Sequence, residues 1–334
     1  MNMEVAKNIA LYLSENRWLN ERANKTDPLP MLDRWIAGTT VEEMVEVAKR
    51  LNAKSMAVSV DHVGDFVYTV EKATRAKDAL LETIEAIRVN ELRAELSVRL
   101  PQLGLRIDEA LCARLLEEVV QRAAEADVFV TINVGPYDDV QATYRLFDTL
   151  RESYDSIGTV VQTSFYRSAE DVLKYRDETI RLTKGAYEES PAVAYQTEEE
   201  TTDHFKILIK ERLESGAFTS IATHDDALIE WLMEYVEEND IPFDTFEIQL
   251  LYGEQCDVRK RLVRAGYPVR IYLPFGEEWY NFSMRRLAER APALEEQVTK
   301  VVNPKTVGIT SAAIGLGALT YYMLRKRKSK EDDR

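Results

Sequence analysis

Short apolar runs separated by longer amphipathic stretches set the rhythm of this chain. Eight runs of strand length recur: Ser55–Val60, Glu95–Leu100, Val128–Asn133, Thr159–Gln162, Thr179–Lys184, Thr219–Thr223, Phe246–Leu251 and Val269–Leu273. They are rich in Val, Ile, Leu or Thr and give way to polar or turn-forming residues, as buried strands do. Between them, apolar residues recur at helical spacing, for example over Val70–Val89, Ile107–Ala126, Asp138–Tyr154 and Ala227–Glu238. Residues 1–54 also carry helical periodicity. Thr39, Thr40 and Glu42–Glu43 predict a helix start ahead of Met44, Val45 and Val47. After Leu273, Pro274 is expected to stop the last strand and Gly276 to permit a turn. Glu277 and Glu278 then suit the positive end of a final helix carrying Arg285 and Arg286.

Eight strand–helix alternations predict the α/β class and a (β/α)8 TIM-type barrel with N-terminal helices. An open doubly wound sheet is the alternative, but no Gly-x-Gly-x-x-Gly follows any strand. No linker rich in Pro, Gly or Ser divides the chain. The expected organisation is a helical segment at 1–54, a barrel at 55–300, and a hydrophobic segment with a basic tail at 301–334.

The 334 residues are 45% hydrophobic and carry a net charge of −15. That size supports a full core, and that charge disfavours nucleic acid as a partner. Cys112 and Cys256 are far apart and form neither metal spacing nor a disulfide framework, which fits a reducing compartment. Three histidines provide no metal-ligand cluster. No signal peptide is evident at the N-terminus.

Active sites of this fold gather at the C-terminal strand ends. Asp61, Arg99, Asn133, Gln162, Arg181, Lys184, His224, Gln249, Tyr252 and Tyr272 would meet there. Arg181 and Lys184 share a mouth only if Lys184 already lies in the loop, a placement that Gly185 favours. Several cations and few anions predict an anionic ligand, such as a phosphate-bearing cofactor with a carboxylate substrate. Two adjacent arginines, Arg285 and Arg286, suit a small carboxylate through their guanidinium forks. Singly, each residue also has a plain structural role: His224 beside a helix cap, Gln162 satisfying buried backbone, Arg285 and Arg286 as solvated helix charges.

Taken together, Arg34–Gly38, Val60–Gly64, Arg181-Leu-Thr-Lys-Gly-Ala-Tyr187, Ile221–Asp225, Gln249–Gly253, Tyr272–Gly276 and Arg285–Glu289 resemble, in order and spacing, the motif series of the FAD-dependent proline dehydrogenases of the monofunctional bacterial type. The resemblance runs from about Arg34 to Arg290. It implies a (β/α)8 barrel whose last helix lies over the mouth, and oxidation of L-proline to Δ1-pyrroline-5-carboxylate with FAD as hydride acceptor and a membrane quinone as final acceptor. By position it assigns Arg285 and Arg286 to the substrate carboxylate, Tyr272 to the proline ring and Arg99 to the substrate site. It assigns Arg181 and Gln162 to the isoalloxazine, and Val134, Lys184, Gly185, Ala186, Thr223 and His224 to the rest of FAD. Arg181 and Asn133 occupy the catalytic positions.

The chain departs from that family where substrate chemistry is concerned. Arg99 replaces a lysine, Asn133-Val134-Gly135 replaces Asp-Met-Glu, Thr163-Ser164-Phe165 replaces Ala-Tyr-Leu, and Phe282 replaces a tyrosine. Asn133 carries no negative charge and accepts no proton. Arg99 keeps the charge but changes its shape and donor pattern. The alternative expectation is therefore a catalytically impaired flavin-binding paralogue with a regulatory or binding role, or an enzyme acting on a related imino acid.

Val307–Leu324 is uncharged and precedes Arg325-Lys-Arg-Lys328. As a helix it would reach about 27 Å, the thickness of a bilayer's hydrocarbon. Its Gly- and Ala-rich composition and the cations behind it favour a helix lying on anionic headgroups over one that spans. The expected location is cytoplasmic, against the inner membrane face through residues 307–328.

Overall fold

The computed structural model describes residues 33–64, 67–185, 189–254 and 256–289. The chain divides into two compact units, Asp33–Glu277 and Met1–Leu32 with Glu278–Arg334. In the larger unit eight strands form a closed, all-parallel barrel in sequence order. They are β1 (Ala57–His62), β2 (Ala94–Arg99), β3 (Val130–Asn133), β4 (Ile157–Gln162), β5 (Ile180–Thr183), β6 (Thr219–Ala222), β7 (Phe246–Leu251) and β8 (Val269–Phe275). Pairing of β1 with β8 closes the ring.

The helices of this unit are α1 (Val41–Asn52), α2 (Val70–Val89), α3 (Glu109–Glu125), α4 (Tyr137–Leu150), α5 (Ser168–Lys174), α6 (Glu198–Ser215), α7 (Asp226–Glu238) and α8 (Cys256–Arg264). Local chemistry sets several starts. Thr40 caps α1 and Thr197 caps α6, each in a reciprocal box with a glutamate three residues on. Asp108 caps α3 and Asp225 caps α7. The smaller unit contributes one described helix, α9 (Trp279–Glu289).

The strand residues divide by period two. Val58, Val60, Leu96, Val98, Ile132, Ile248, Leu250, Ile271 and Leu273 are fully buried in the main apolar core. The alternate set, Ser59, Asp61, Glu95, Ser97, Asn133, Arg181, Ser220, Glu247, Gln249 and Arg270, is polar, and its hydrogen bonds run between strands inside the ring. A barrel interior is ordinarily filled by bulky branched side chains; here it is filled by a hydrogen-bonded charge network.

Two expectations need correction. β1 continues through Asp61 and His62, because Val63 N–H donates to Phe275 O at 2.8 Å and carries the pairing past Val60. Pro274 does not stop β8, which runs to Phe275 with Pro274 level with Asp61. The residue lacks an N–H to donate, yet its carbonyl accepts from Ala37 N–H at 2.7 Å. Residues 33–38 thereby form a strap on the C-terminal ends of β7 and β8. Gly276 N–H donates to Gly38 O at 3.0 Å, and Trp35 Nε1 donates to the Glu254 carboxylate.

Candidate active site

The C-terminal mouth of the barrel is built on Arg181. Its position on β5 points the side chain inward, where it reaches three other strands. One terminal nitrogen donates to Asn133 Oδ1 at 3.0 Å and Ser97 Oγ at 3.3 Å. The other donates to Glu95 Oε1 at 2.6 Å and Ser59 Oγ at 2.9 Å. The guanidinium also lies 5.4 Å from the Tyr272 ring centroid. Asn133 completes its own role by donating from Nδ2 to Ser97 Oγ at 2.7 Å.

Arg99 stands level with Asn133 across the β2–β3 pair. It forms an ion pair with the buried Asp61 carboxylate and donates to the Tyr272 hydroxyl at 3.3 Å. Burial, followed by the Asp61 charge, pushes the Tyr272 phenol above its ordinary range, so it stays protonated. Gln162 ends β4 and donates from Nε2 to Val134 O at 3.1 Å and Gly135 O at 2.6 Å. It thus fixes the backbone after β3.

Lys184 lies one residue beyond β5, in the loop as the sequence requires. Its ammonium meets Glu198 at the start of α6 and Asp225 Oδ2 at 3.1 Å. Burial works against the Asp225 charge, but the Lys184 hydrogen bond and the α7 backbone N–H groups outweigh it and hold the carboxyl below its ordinary range. Thr223 is buried and its hydroxyl accepts from Asp225 N–H at 3.2 Å, while His224 is exposed beside that cap. Ala186 lies outside the described residues, as does the 307–324 segment. Arg285 and Arg286 sit on α9 in the smaller unit, where the Arg286 guanidinium lies 5.4 Å from the Phe282 ring centroid. Among the described residues no helix is long and apolar enough to cross a membrane.

The electrostatics differ from the expected excess of cations. Arg99 faces Asp61, Arg181 faces Glu95, and Lys184 faces Glu198 and Asp225, so each of these three cations has a carboxylate. Sequence reasoning did not single out Glu95, Ser59, Ser97, Glu198 or Asp225. The signal for two of them is period two: Glu95, Ser97 and Arg99 share the inward face of β2.

Several buried polar atoms around the mouth have no partner: Asp61 Oδ1, Gln162 Oε1, Arg181 Nε and Gln249 Oε1. Buried groups of this kind are normally satisfied, so a set of them marks a place for a polar ligand. Gly185 adds a bare backbone at φ +121°, where a Cβ would lie 2.4 Å from Ser164 Oγ and 3.3 Å from Gln162 Oε1. Unpartnered acceptors, an inward arginine and open backbone fit the polar edge of a flavin. Glu198 is 80% exposed, so it can leave Lys184 to an anionic group.

The fold and this mouth define the class: a (β/α)8 barrel with polar and charged side chains gathered toward the C-terminal strand ends. The profile of the proline dehydrogenase family matches residues 44–298, and the chain belongs to that family. It is 36% identical over 286 residues to proline dehydrogenase 1 of Bacillus subtilis, covering 85% of this chain and 95% of that protein. It is 31% identical over 266 residues to proline dehydrogenase of Deinococcus radiodurans, covering 78% and 86%. Among solved structures it resembles proline utilization A from Bdellovibrio bacteriovorus inactivated by N-propargylglycine, with a TM-score of 0.73 and 22% identity. That match covers 78% of this chain and spans about a third (33%) of the solved one, and it supports the fold.

Proposed function

We propose that this protein is an FAD-dependent proline dehydrogenase that oxidises L-proline to Δ1-pyrroline-5-carboxylate in proline catabolism. Family membership over most of the chain supports this, and so does the barrel interior, where Arg181 Nε, Asp61 Oδ1, Gln162 Oε1 and Gln249 Oε1 are buried without a hydrogen-bond partner. That constellation is the observation that carries the reading.

When bound, FAD supplies the hydride acceptor for the carbon next to the proline ring nitrogen. The protein's residues hold the parts in place. Arg181 and Gln162 would hold the flavin ring system, Val134, Lys184, Gly185, Ala186, Thr223 and His224 would hold the rest of the cofactor, and Tyr272 would line the proline ring. Arg99, tied to Asp61 and to the Tyr272 hydroxyl, would flank the substrate. Arg285 and Arg286 are assigned to the substrate carboxylate by sequence resemblance alone. Asn133 offers no proton acceptor, so the proton shed by the ring nitrogen goes elsewhere. A quinone as final acceptor, and a cytoplasmic location with membrane contact through 307–328, complete the proposal.

The test is spectroscopic. The purified protein, loaded with FAD, should lose its yellow absorbance on anaerobic addition of L-proline. Retention of the colour with proline would favour a second reading, an impaired flavin-binding paralogue or an enzyme for a related imino acid. The neutral Asn133 bonded to Arg181 is what motivates that reading. Restoration of bleaching by Asn133→Asp would establish it.

A further inference from the structure

Arg181 carries a charge assigned to the proposed flavin site, and that charge is buried. The Asn133 and serine oxygens it meets are neutral. Among the described residues the one carboxylate Arg181 touches is Glu95, at 2.6 Å, with the two side chains only 4% and 6% exposed. The neighbouring carboxylates are otherwise engaged. Asp61 pairs with Arg99, and Glu247 pairs with Arg270 at 2.6 Å while also accepting from Ser220 and Gln249. Arg270 lies 3.7 Å from the second oxygen of Glu95, so Glu95 bridges two arginines.

Glu95 stands level with Ser59, four residues before Arg99, about 13 Å along the strand. Its charge therefore approaches Arg181 from the N-terminal side of the barrel. At the level of the mouth, where Arg99 and Asn133 stand side by side, no carboxylate is supplied by position 133. Burial works against the Glu95 charge, but Arg270 and Arg181 outweigh it and hold the carboxyl below its ordinary range.

We infer that Glu95 is the positioning residue and counter-ion of Arg181, supplying from inside the barrel the negative charge that Asn133 lacks. The inference rests on the flavin reading above. Glu95 fixes the guanidinium from below and leaves Nε, which has no partner, for the ligand. It also sets how much of the arginine's charge is felt at the mouth. A reduced flavin carries more negative charge than an oxidised one, so an uncompensated Arg181 would favour reduction.

The experiment measures the midpoint potential of the flavin in the full-length holoprotein by anaerobic dye-coupled reduction. Glu95→Gln should shift the potential upward, and adding Asn133→Asp to that variant should bring it back toward the starting value. A Glu95→Gln protein with bound flavin and unchanged potential would overturn the assignment, as would a rise that Asn133→Asp does not reverse. Should the single variant not fold, the double variant still decides, since it preserves the interior charge. It should retain flavin near the original potential, and a displaced potential counts against the inference. Absence of yellow absorbance in the wild-type protein after FAD loading would instead remove the flavin reading itself.

Discussion

Gly253 turns the chain after β7 at φ +80°, and a Cβ there would lie 1.9 Å from the Arg34 carbonyl oxygen. Backbone conformation and close approach both demand glycine. Gly253→Ala should cost about 1–3 kcal/mol from the backbone alone, with further loss as the 33–38 strap is displaced. A lowered thermal midpoint with faster proteolysis between residues 33 and 40 is the expected result; an unchanged midpoint would contradict it. At this scale the sequence reveals some residues and conceals others. Arg181 is visible as a charge in an apolar run, and Gly185 as the glycine that puts Lys184 in a loop. The partners of those cations are not visible. Period two places Glu95 on the inward face of β2, but which arginine it meets depends on ring closure and stagger. Likewise Asp225 reads as a helix cap, and its second role at Lys184 requires strands β5 and β6 to be neighbours.

Short α5 has its end secured from α6. Arg212 is fully buried and donates to Tyr175 O, Arg176 O and Glu178 O at 3.0, 2.6 and 2.7 Å, just past the α5 C-terminus. It also reaches Phe218 O at 3.2 Å and Thr219 Oγ1 at 3.0 Å, tying the starts of β5 and β6 together. Burial lowers its pKa to about 10, yet it remains charged at neutral pH. Removing it leaves several buried acceptors unmade at about 1–3 kcal/mol each. Arg212→Met should therefore lower unfolding free energy in urea by at least about 3 kcal/mol. Arg212→Lys should recover less than half, since three donors replace five in a different geometry. Among elements the alternation of strands and helices is plain in the sequence, and β7 is read to the residue. Ends are harder. β1 and β8 extend further than their local residues suggest, because each is held by the other and β8 by the strap besides.

For the whole barrel unit, ionisation and stability are linked. Burial lowers the pKa of His62 and His204, so the unfolded chain takes up their protons first. The stability they contribute is present above about pH 6.5 and declines below it. Glu95 and Asp225 are held below the ordinary carboxyl range. Their contribution is present above about pH 4.3 and is lost as pH falls through the lower folded-state values. A plot of thermal midpoint against pH should fall in two stages, and Glu95→Gln should flatten the second. A single steep fall, identical in both proteins, would show that Glu95 has no such linkage.

The charge network inside the ring also bears on how the chain can be divided. β1 to β4 contain Asp61, Arg99 and Glu95, whereas Arg181, Arg270 and Glu247 come from β5 to β8. Severed into halves, the first piece would strand Glu95 without its bases and the second Arg181 without its acid. This barrel is thus poorly suited to assembly from independently stable half-barrels, and its two halves carry opposite charges that neutralise one another only on closure.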